Sequence, residues 1–565
     1  MTRKEKREEK RKSEKKEVYI KRLLFIKGLS FLVLFALIIR LYYIQIVKQE
    51  FYTSEVSKQR ELSIPIDSGR GLILDRNFVP LTDRIEKKVA IIFPQYFKLS
   101  DNNIFLLEEI TGIEAEELYN RIKNSKYNLE FSLKNDINLD DGRLITTKGL
   151  FIVNKKIRYD DDGVLSHVIG YINQVDLRGM SGIEGAMDGL LSGNGGKSVI
   201  ATLDGLKRFI PGEGYEIVSN YKKNESLRLT IDYNIQKIAE EVIDESARQG
   251  AIIVSDIKTG EILSMVSRPN FNPNNISEHL KSEGDELYNK AIQMAFPPGS
   301  IFKIVVAIES LINDPSIMDE TFECLGYESV GNFEIKCSSY EKGGHGEIGL
   351  ERAFAESCNC VFIRLVERIG AESIINMAKK LGFNNIVNIG LQEENKGNLP
   401  SGDSLLGPAY ANIAIGQGEI LSTPLQVNQL TQLIGNNGLK KPLYIMKDIV
   451  DDKHNTLKKS NVAEEEQVID EKIIKIVQQW MEKVMTEGSG HLAKDISNIT
   501  AGKTGSAESV ENGKEVVHAW FTGYYPSKDP KYAITILVQN GGSGGGVAVP
   551  IFKEIVEKMM EIGYK

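Results

Sequence analysis

Ala295-Phe296-Pro297-Pro298-Gly299-Ser300-Ile301-Phe302-Lys303 places a hydroxyl on a turn that opens into a helix. Pro297 and Pro298 block a helix upstream, Gly299 permits a tight turn, and Ile301 to Leu311 carries helix-compatible apolar residues. Ser300 therefore stands at a helix N-terminus, and Lys303, its i+3 neighbour, shares a face with it. A serine is a poor nucleophile until a base takes its proton, and Lys303 is the base within reach. The positive end of the helix dipole favours the oxyanion that forms when a carbonyl is attacked. Because serine and lysine are common, the pair gains its meaning from the groups downstream of it.

Two such groups stand in order. Ser357-Cys358-Asn359 ends a helical run, Leu350 to Glu356, and offers a hydroxyl and an amide two residues apart. Lys503-Thr504-Gly505-Ser506 precedes the strand-like His518-Ala519-Trp520-Phe521-Thr522-Gly523-Tyr524. Outside these groups, Ala251 to Asp256, a Lys258-Thr259-Gly260 turn and Glu261 to Ser267 read as an antiparallel pair. Asp232 caps a helix over Ile235 to Ala247. Strands are expected at Val516 to Tyr524 and Tyr532 to Gln539. A glycine-rich loop, Gly541 to Gly546, then leads to a last helix from Pro550 to Ile562. Strands on either side of a helical middle predict an α+β fold with an antiparallel sheet flanked by helices.

The 565 residues, 41% of them hydrophobic, can bury a large core and should form more than one domain. Residues 1–22 hold eleven Lys/Arg against five Glu in a chain of net charge −8, so the two ends face different surroundings. Leu23 to Val47 is apolar apart from Lys27 and Arg40, and long enough to cross a bilayer. It runs into Tyr42-Tyr43-Ile44-Gln45 with no small-residue cleavage site, which reads as an uncleaved anchor rather than a signal peptide. The preceding basic residues keep the N-terminus cytoplasmic and place the rest outside the cell membrane. The expected organisation is a basic tail (1–22), a transmembrane anchor (23–47), an N-terminal mixed domain (48–225) and a catalytic domain (226–565). Residues 85–160 read as scaffold, Arg70 to Asn77 as a hairpin, and His167 as a satisfied turn histidine. No glycine fingerprint for a nucleotide and no basic aromatic stripe for nucleic acid is present.

S-x-x-K, S-x-N and K-T-G in this order resemble the motif set of penicillin-binding proteins and serine β-lactamases. Arg70-Gly71 with Asp75-Arg76-Asn77, Ser181-Gly182-Ile183-Glu184, Leu229-Thr230-Ile231-Asp232, Asp256 to Pro269, Gly416-Gln417-Gly418 and His518-Ala519-Trp520-Phe521 extend the resemblance. Together they are similar to class B, monofunctional penicillin-binding proteins over nearly all of the chain beyond the anchor. Phe78 stands where that family usually has glycine, and Ser506 where threonine is commoner. The resemblance implies a peptidoglycan D,D-transpeptidase of the cell wall with no catalytic cofactor. Its substrates would be stem peptides ending in D-Ala-D-Ala, its inhibitors β-lactams, and its partner a membrane glycan polymerase. Ser300 would be the acylated residue, Lys303 its base, Ser357 a proton relay, and Asn359 a holder of Lys303 and of the substrate amide. Lys503, Thr504 and Ser506 would bind the terminal carboxylate, with Gly505 between them. The backbone N–H groups of Ser300 and Ser506 would form the oxyanion hole. A β-lactamase is disfavoured by the large N-terminal region, a membrane sensor by the short tail. A D,D-carboxypeptidase and a non-catalytic β-lactam-binding scaffold stay open.

All four cysteines fall between 324 and 360. Cys324, Cys337, His345 and Cys358, with glycine turns around His345, make a donor set of the kind structural zinc prefers. Some elongation-type relatives look similar here, and that match selects Cys358 over Cys360. A Cys324–Cys337 disulfide and free buried thiols are the alternatives.

Overall fold

The computed structural model describes residues 3–67, 69–125, 127–134, 141–173, 176–193, 195–202, 215–220, 225–282, 284–511 and 513–565. The start of the basic tail, residues 1–2, lies outside them.

The C-terminal half is built on a five-stranded sheet. Its strands are β1 (Gly250–Asp256), β2 (Ile262–Arg268), β3 (Ala501–Glu511), β4 (Lys514–Tyr525) and β5 (Tyr532–Val538), in the order β2-β1-β5-β4-β3. Every neighbouring pair is antiparallel, as the sequence predicts. The strands carry apolar runs because both faces are covered, and the period of two sorts them. Ile534, Ile536, Phe521 and Ile252 face helices α1 (Tyr233–Glu245) and α5 (Val549–Glu561). Ala533, Leu537, Trp520 and Tyr524 face α2 (Lys303–Asn313), α3 (Pro424–Gly435) and α4 (Glu471–Thr486). Asp232 caps α1 by accepting from Asn234 N–H. A reciprocal Thr423/Gln426 capping box with Pro424 at the first turn starts α3. Strand β3 is one edge of the sheet and carries Lys503-Thr504-Gly505-Ser506.

The N-terminal half contains the expected mixture. Strands Ile85–Ile92, Leu129–Ser132 and Leu150–Ile157 pack against helices Asp101–Thr111 and Ala115–Asn124. A second small sheet pairs Glu61–Pro65, Lys197–Thr202 and Tyr215–Ser219. The Arg70 to Asn77 segment does more than a hairpin would. Leu74 bridges Pro80 across the turn, but Ile73-Leu74 also pair in parallel with Leu227-Arg228, in a four-stranded sheet with Met446–Val450 and Thr456–Lys459. A core of Ile73, Leu165, Ile183, Leu229, Ile253 and Met265 then runs across position 225, uniting the halves on either side.

Phe78, the departure from glycine, has φ +65°, a conformation that costs a bulky residue free energy. Its ring recovers contacts by stacking on His454 at 4.4 Å, with the Arg228 guanidinium 4.3 Å from its centre. His167 is buried, and its Nε2–H donates to the carbonyl of Glu286 at 2.7 Å.

At the other end, one helix runs from Arg3 to Tyr42, followed by a π-helical turn at Tyr43–Val47 and a helix at Gln49–Arg60. Within the stretch Lys16–Val47 an 18-residue window has mean hydropathy 2.3 and none of it is buried, so the helix is long and apolar enough to cross a membrane.

Candidate active site

Ser300 sits in a single 3-10 turn, Gly299–Phe302, that feeds directly into α2 at Lys303. The α-helix thus begins two residues later than the sequence suggests. The turn is pinned on three sides. The indole Nε1–H of Trp520 donates to the Pro297 carbonyl at 2.9 Å, and Gly299 N–H donates to the Gly416 carbonyl at 3.0 Å. Gly299 has φ +57°, and a Cβ there would lie 2.7 Å from the carbonyl oxygen of Ser506, so only glycine lets the Ser300 turn approach β3 this closely.

Lys303 is fully buried at the start of α2. Its Nζ donates to Asn359 Oδ1 at 2.7 Å and to the Ser357 carbonyl at 2.7 Å, and lies 3.3 Å from Ser357 Oγ. Ser357 adopts φ +57°, and this left-handed residue turns both its oxygens toward the lysine. From the opposite wall, Lys503 Nζ donates to the same hydroxyl at 3.0 Å. Ser357 Oγ is therefore the meeting point of two amines, the second carried by an element 146 residues away in sequence. Burial pulls Lys303 down to about 8 from its ordinary 10.5, the nearby cysteine thiolates opposing the shift. Burial, rather than a positive neighbour, is what lowers it. Lys503 is pulled well down as well, by burial first and then by the charge of Lys303.

The K-T-G group lies on β3. Lys503 and Thr504 are buried, Gly505 presses against Pro298 and Ile301, and Ser506 is exposed, its Oγ accepting from Gly544 N–H at 3.1 Å. Sequence reading missed Ser489. This residue lies in the turn after α4, and its hydroxyl is 2.6 Å from Thr504 Oγ1. Gly488 and Gly490 on either side were the available signal.

Beside Asn359 the cysteines converge. Donor atoms of Cys324, Cys337, His345 and Cys358 all lie within 4.8 Å of one another. Cys324 Sγ is 3.4 Å and Cys337 Sγ 3.6 Å from His345 Nδ1, while Cys337 and Cys358 sulfurs are 3.9 Å apart. All four cysteines are free thiols, and Cys360 stands outside the four-donor group, 3.5 Å from Cys324 Sγ. Hydrogen bonding with Cys358 and Cys360 pushes the Cys337 thiol far down, and that between His345 and the thiols, Cys337 first, pushes the imidazole up to about 11. The strand end that supplies Cys337 also holds Asn359. Its N–H donates to Cys337 Sγ at 3.3 Å and its Nδ2–H to the Lys336 carbonyl at 2.8 Å.

Residues 250–557 match the model of the penicillin binding protein transpeptidase domain, and residues 65–214 that of the penicillin-binding protein dimerisation domain. The chain is 29% identical to stage V sporulation protein D of Bacillus subtilis, covering 96% of this chain and 86% of that one. It is 26% identical to the peptidoglycan D,D-transpeptidase MrdA of Acinetobacter baumannii, covering 95% and 87%. Among solved structures, penicillin-binding protein PBP2 from Helicobacter pylori superposes with a TM-score of 0.68 at 26% identity, covering 90% of this chain and all of that one. With both domain models matched and Ser300, two buried lysines and the Ser357 hydroxyl brought together on an α+β fold, the chain belongs to the penicillin-binding protein transpeptidases, as a class B serine enzyme.

Proposed function

We propose that this protein cross-links peptidoglycan stem peptides through an acyl-enzyme on Ser300. The observation that carries the assignment is Lys303, an amine buried among Asn359 and Ser357 one turn beyond the serine and pulled down toward neutrality. Ser300 Oγ attacks the carbonyl of the penultimate D-alanine and gives its proton to neutral Lys303. Ser357 passes a proton to the departing amine, and terminal D-alanine leaves as the ester forms. The amine of a neighbouring stem attacks that ester, forms the cross-linking amide and restores the serine. The substrate carboxylate docks against Lys503, Thr504 and Ser506, and its negative charge offsets the repulsion between the two lysines. N–H groups of Ser300 and Ser506 receive the oxyanion. β-Lactams acylate the same serine.

The apolar N-terminal helix anchors the chain in the cell membrane with residues 1–22 cytoplasmic and the catalytic half outside. Residues 48–225 form a pedestal that contacts partner membrane proteins, among them a glycan polymerase. Cys324, Cys337, His345 and Cys358 hold a structural zinc ion, for which three thiolates and one imidazole within bonding reach are a fitting donor set. When bound, the ion would supply a cross-link between the segments that carry these four residues.

The test is the product formed from lipid-linked strands and a polymerase. Cross-linked dimers that vanish in Ser300→Ala support transpeptidation. Released D-alanine without dimers would assign a carboxypeptidase instead, and neither product a non-catalytic scaffold.

A further inference from the structure

Gln417, between Gly416 and Gly418, lies beside β3. With its amide turned so that nitrogen meets oxygen, its Nε2–H donates to the Glu508 carbonyl at 3.1 Å and its Oε1 accepts from Glu508 N–H at 3.0 Å. This is the bond pair an antiparallel strand residue would make with Glu508. The glutamine is firmly placed. Gly416 accepts from Gly299 N–H, and a Cβ on Gly416 would lie 2.1 Å from the Gly299 carbonyl oxygen.

The position of that mimic matters because β3 is an edge strand. Since the N–H and C=O of Glu508 point outward, those of Ser506 and Thr504, two and four residues back, point outward too. With the substrate docked as proposed, the donor's carboxylate lies at the Lys503 end and its reactive carbonyl at Ser506 N–H. The donor chain must then run backward along β3, antiparallel to it. Its reactive D-alanine pairs with Ser506, and the residue two positions earlier arrives at Glu508. There Gln417 already holds both bonds.

We propose that Gln417 is a specificity-determining residue that limits backbone pairing of the donor peptide to one residue on β3. Beyond the reactive D-alanine, the enzyme reads the stem through side chains and not through strand pairing. The inference rests on the proposed acyl-enzyme chemistry at Ser300.

The experiment uses the detergent-solubilised full chain and two model donors, acetyl-glycyl-L-lysyl-D-alanyl-D-alanine and its sarcosine counterpart. The sarcosine N-methyl group removes the single N–H that could donate to Glu508. Release of D-alanine gives the ratio of kcat/KM for the two. A ratio near one is expected in the wild type, because Gln417 occupies the edge. In Gln417→Ala the ratio should rise about three- to ten-fold in favour of the glycine peptide, the worth of one hydrogen bond. Gln417→Asn, a methylene too short to span both bonds, should move the same way if the alanine variant is poorly folded. A ratio already high in the wild type, or near one in both variants while they still take up fluorescent penicillin, overturns the inference. Failure of the wild type to be labelled at Ser300 by fluorescent penicillin overturns instead the acyl-enzyme assignment on which it rests.

Discussion

Ser489 Oγ lies 2.6 Å from Thr504 Oγ1, joining the turn after α4 to the edge strand. The turn is wedged in place, since a Cβ on Gly488 would lie 2.2 Å from the Ala355 carbonyl oxygen and one on Gly545 2.8 Å from that of Ser489. Ser489 thus orients the hydroxyl assigned to the substrate carboxylate. Ser489→Ala is expected to slow acylation by a free-acid β-lactam about five- to ten-fold, with little effect on its methyl ester. Ser489→Thr should restore the rate. Equal losses for acid and ester would refute a role in carboxylate recognition.

Lys303 must be neutral to accept the serine proton. Its pKa of about 8 means that acylation should rise with pH and level off above that value. Lys303→Arg, always charged, should abolish labelling at every pH. A wild-type acylation rate that stays constant between about pH 6 and about pH 9 would assign the base elsewhere.

His167 is pulled down to about 4 from 6.5, mainly by burial, against its hydrogen bond to the Glu286 carbonyl, and further by the positive charges of Arg268 and Lys290. Below its ordinary value the unfolded chain binds the proton first, so folding stability is complete above about pH 6.5 and is lost as pH falls toward about 4. The loss from this residue amounts to about 3 kcal/mol. Urea melts across that window should show the slope, and His167→Gln should flatten it. An unaltered slope in the variant would show that other groups carry the acid sensitivity.

Protein purified without chelator should carry about one equivalent of zinc and melt lower when a strong chelator is added. Cys358→Ser should lose the metal, while Cys360→Ser, outside the four-donor group, should keep it. Less than about a tenth of an equivalent in the wild type, with an unchanged melting temperature, would leave free thiols as the account.

Glu184 is fully buried between two arginines, accepting from Arg70 Nε at 2.9 Å and Arg158 Nε at 2.7 Å. Glu184→Ala leaves each buried guanidinium with one carboxylate, Asp188 for Arg70 and Asp83 for Arg158, and should still cost about 3 kcal/mol. Glu184→Gln should cost less, because one acceptor oxygen remains. Denaturant unfolding checks both, and an alanine variant within about 1 kcal/mol of the wild type would show that Asp188 and Asp83 suffice for the two arginines.

The linear order of Ser300, Lys303, Ser357, Asn359 and the Lys503 group identified the chemistry, because each motif is local: an i+3 pair, a residue and its second neighbour, one strand segment. The sheet and its flanking helices were also legible, since period-two apolar runs and a capped helix are written in consecutive residues. What the sequence could not supply was convergence across long separations. Nothing local shows that Lys303 and Lys503 share the hydroxyl of Ser357, that Ser489 meets Thr504, or that Gln417 occupies the edge at Glu508. The parallel pairing of Ile73-Leu74 with Leu227-Arg228 was hidden for the same reason, and Arg70 to Asn77 read only as a hairpin. Sequence alone determined which groups the protein carries and which stretches form helix or strand, because those depend on neighbours along the chain. Only the tertiary structure decided which groups meet and how far each amine is pulled toward neutrality, because hydrogen bonding and desolvation depend on neighbours in space.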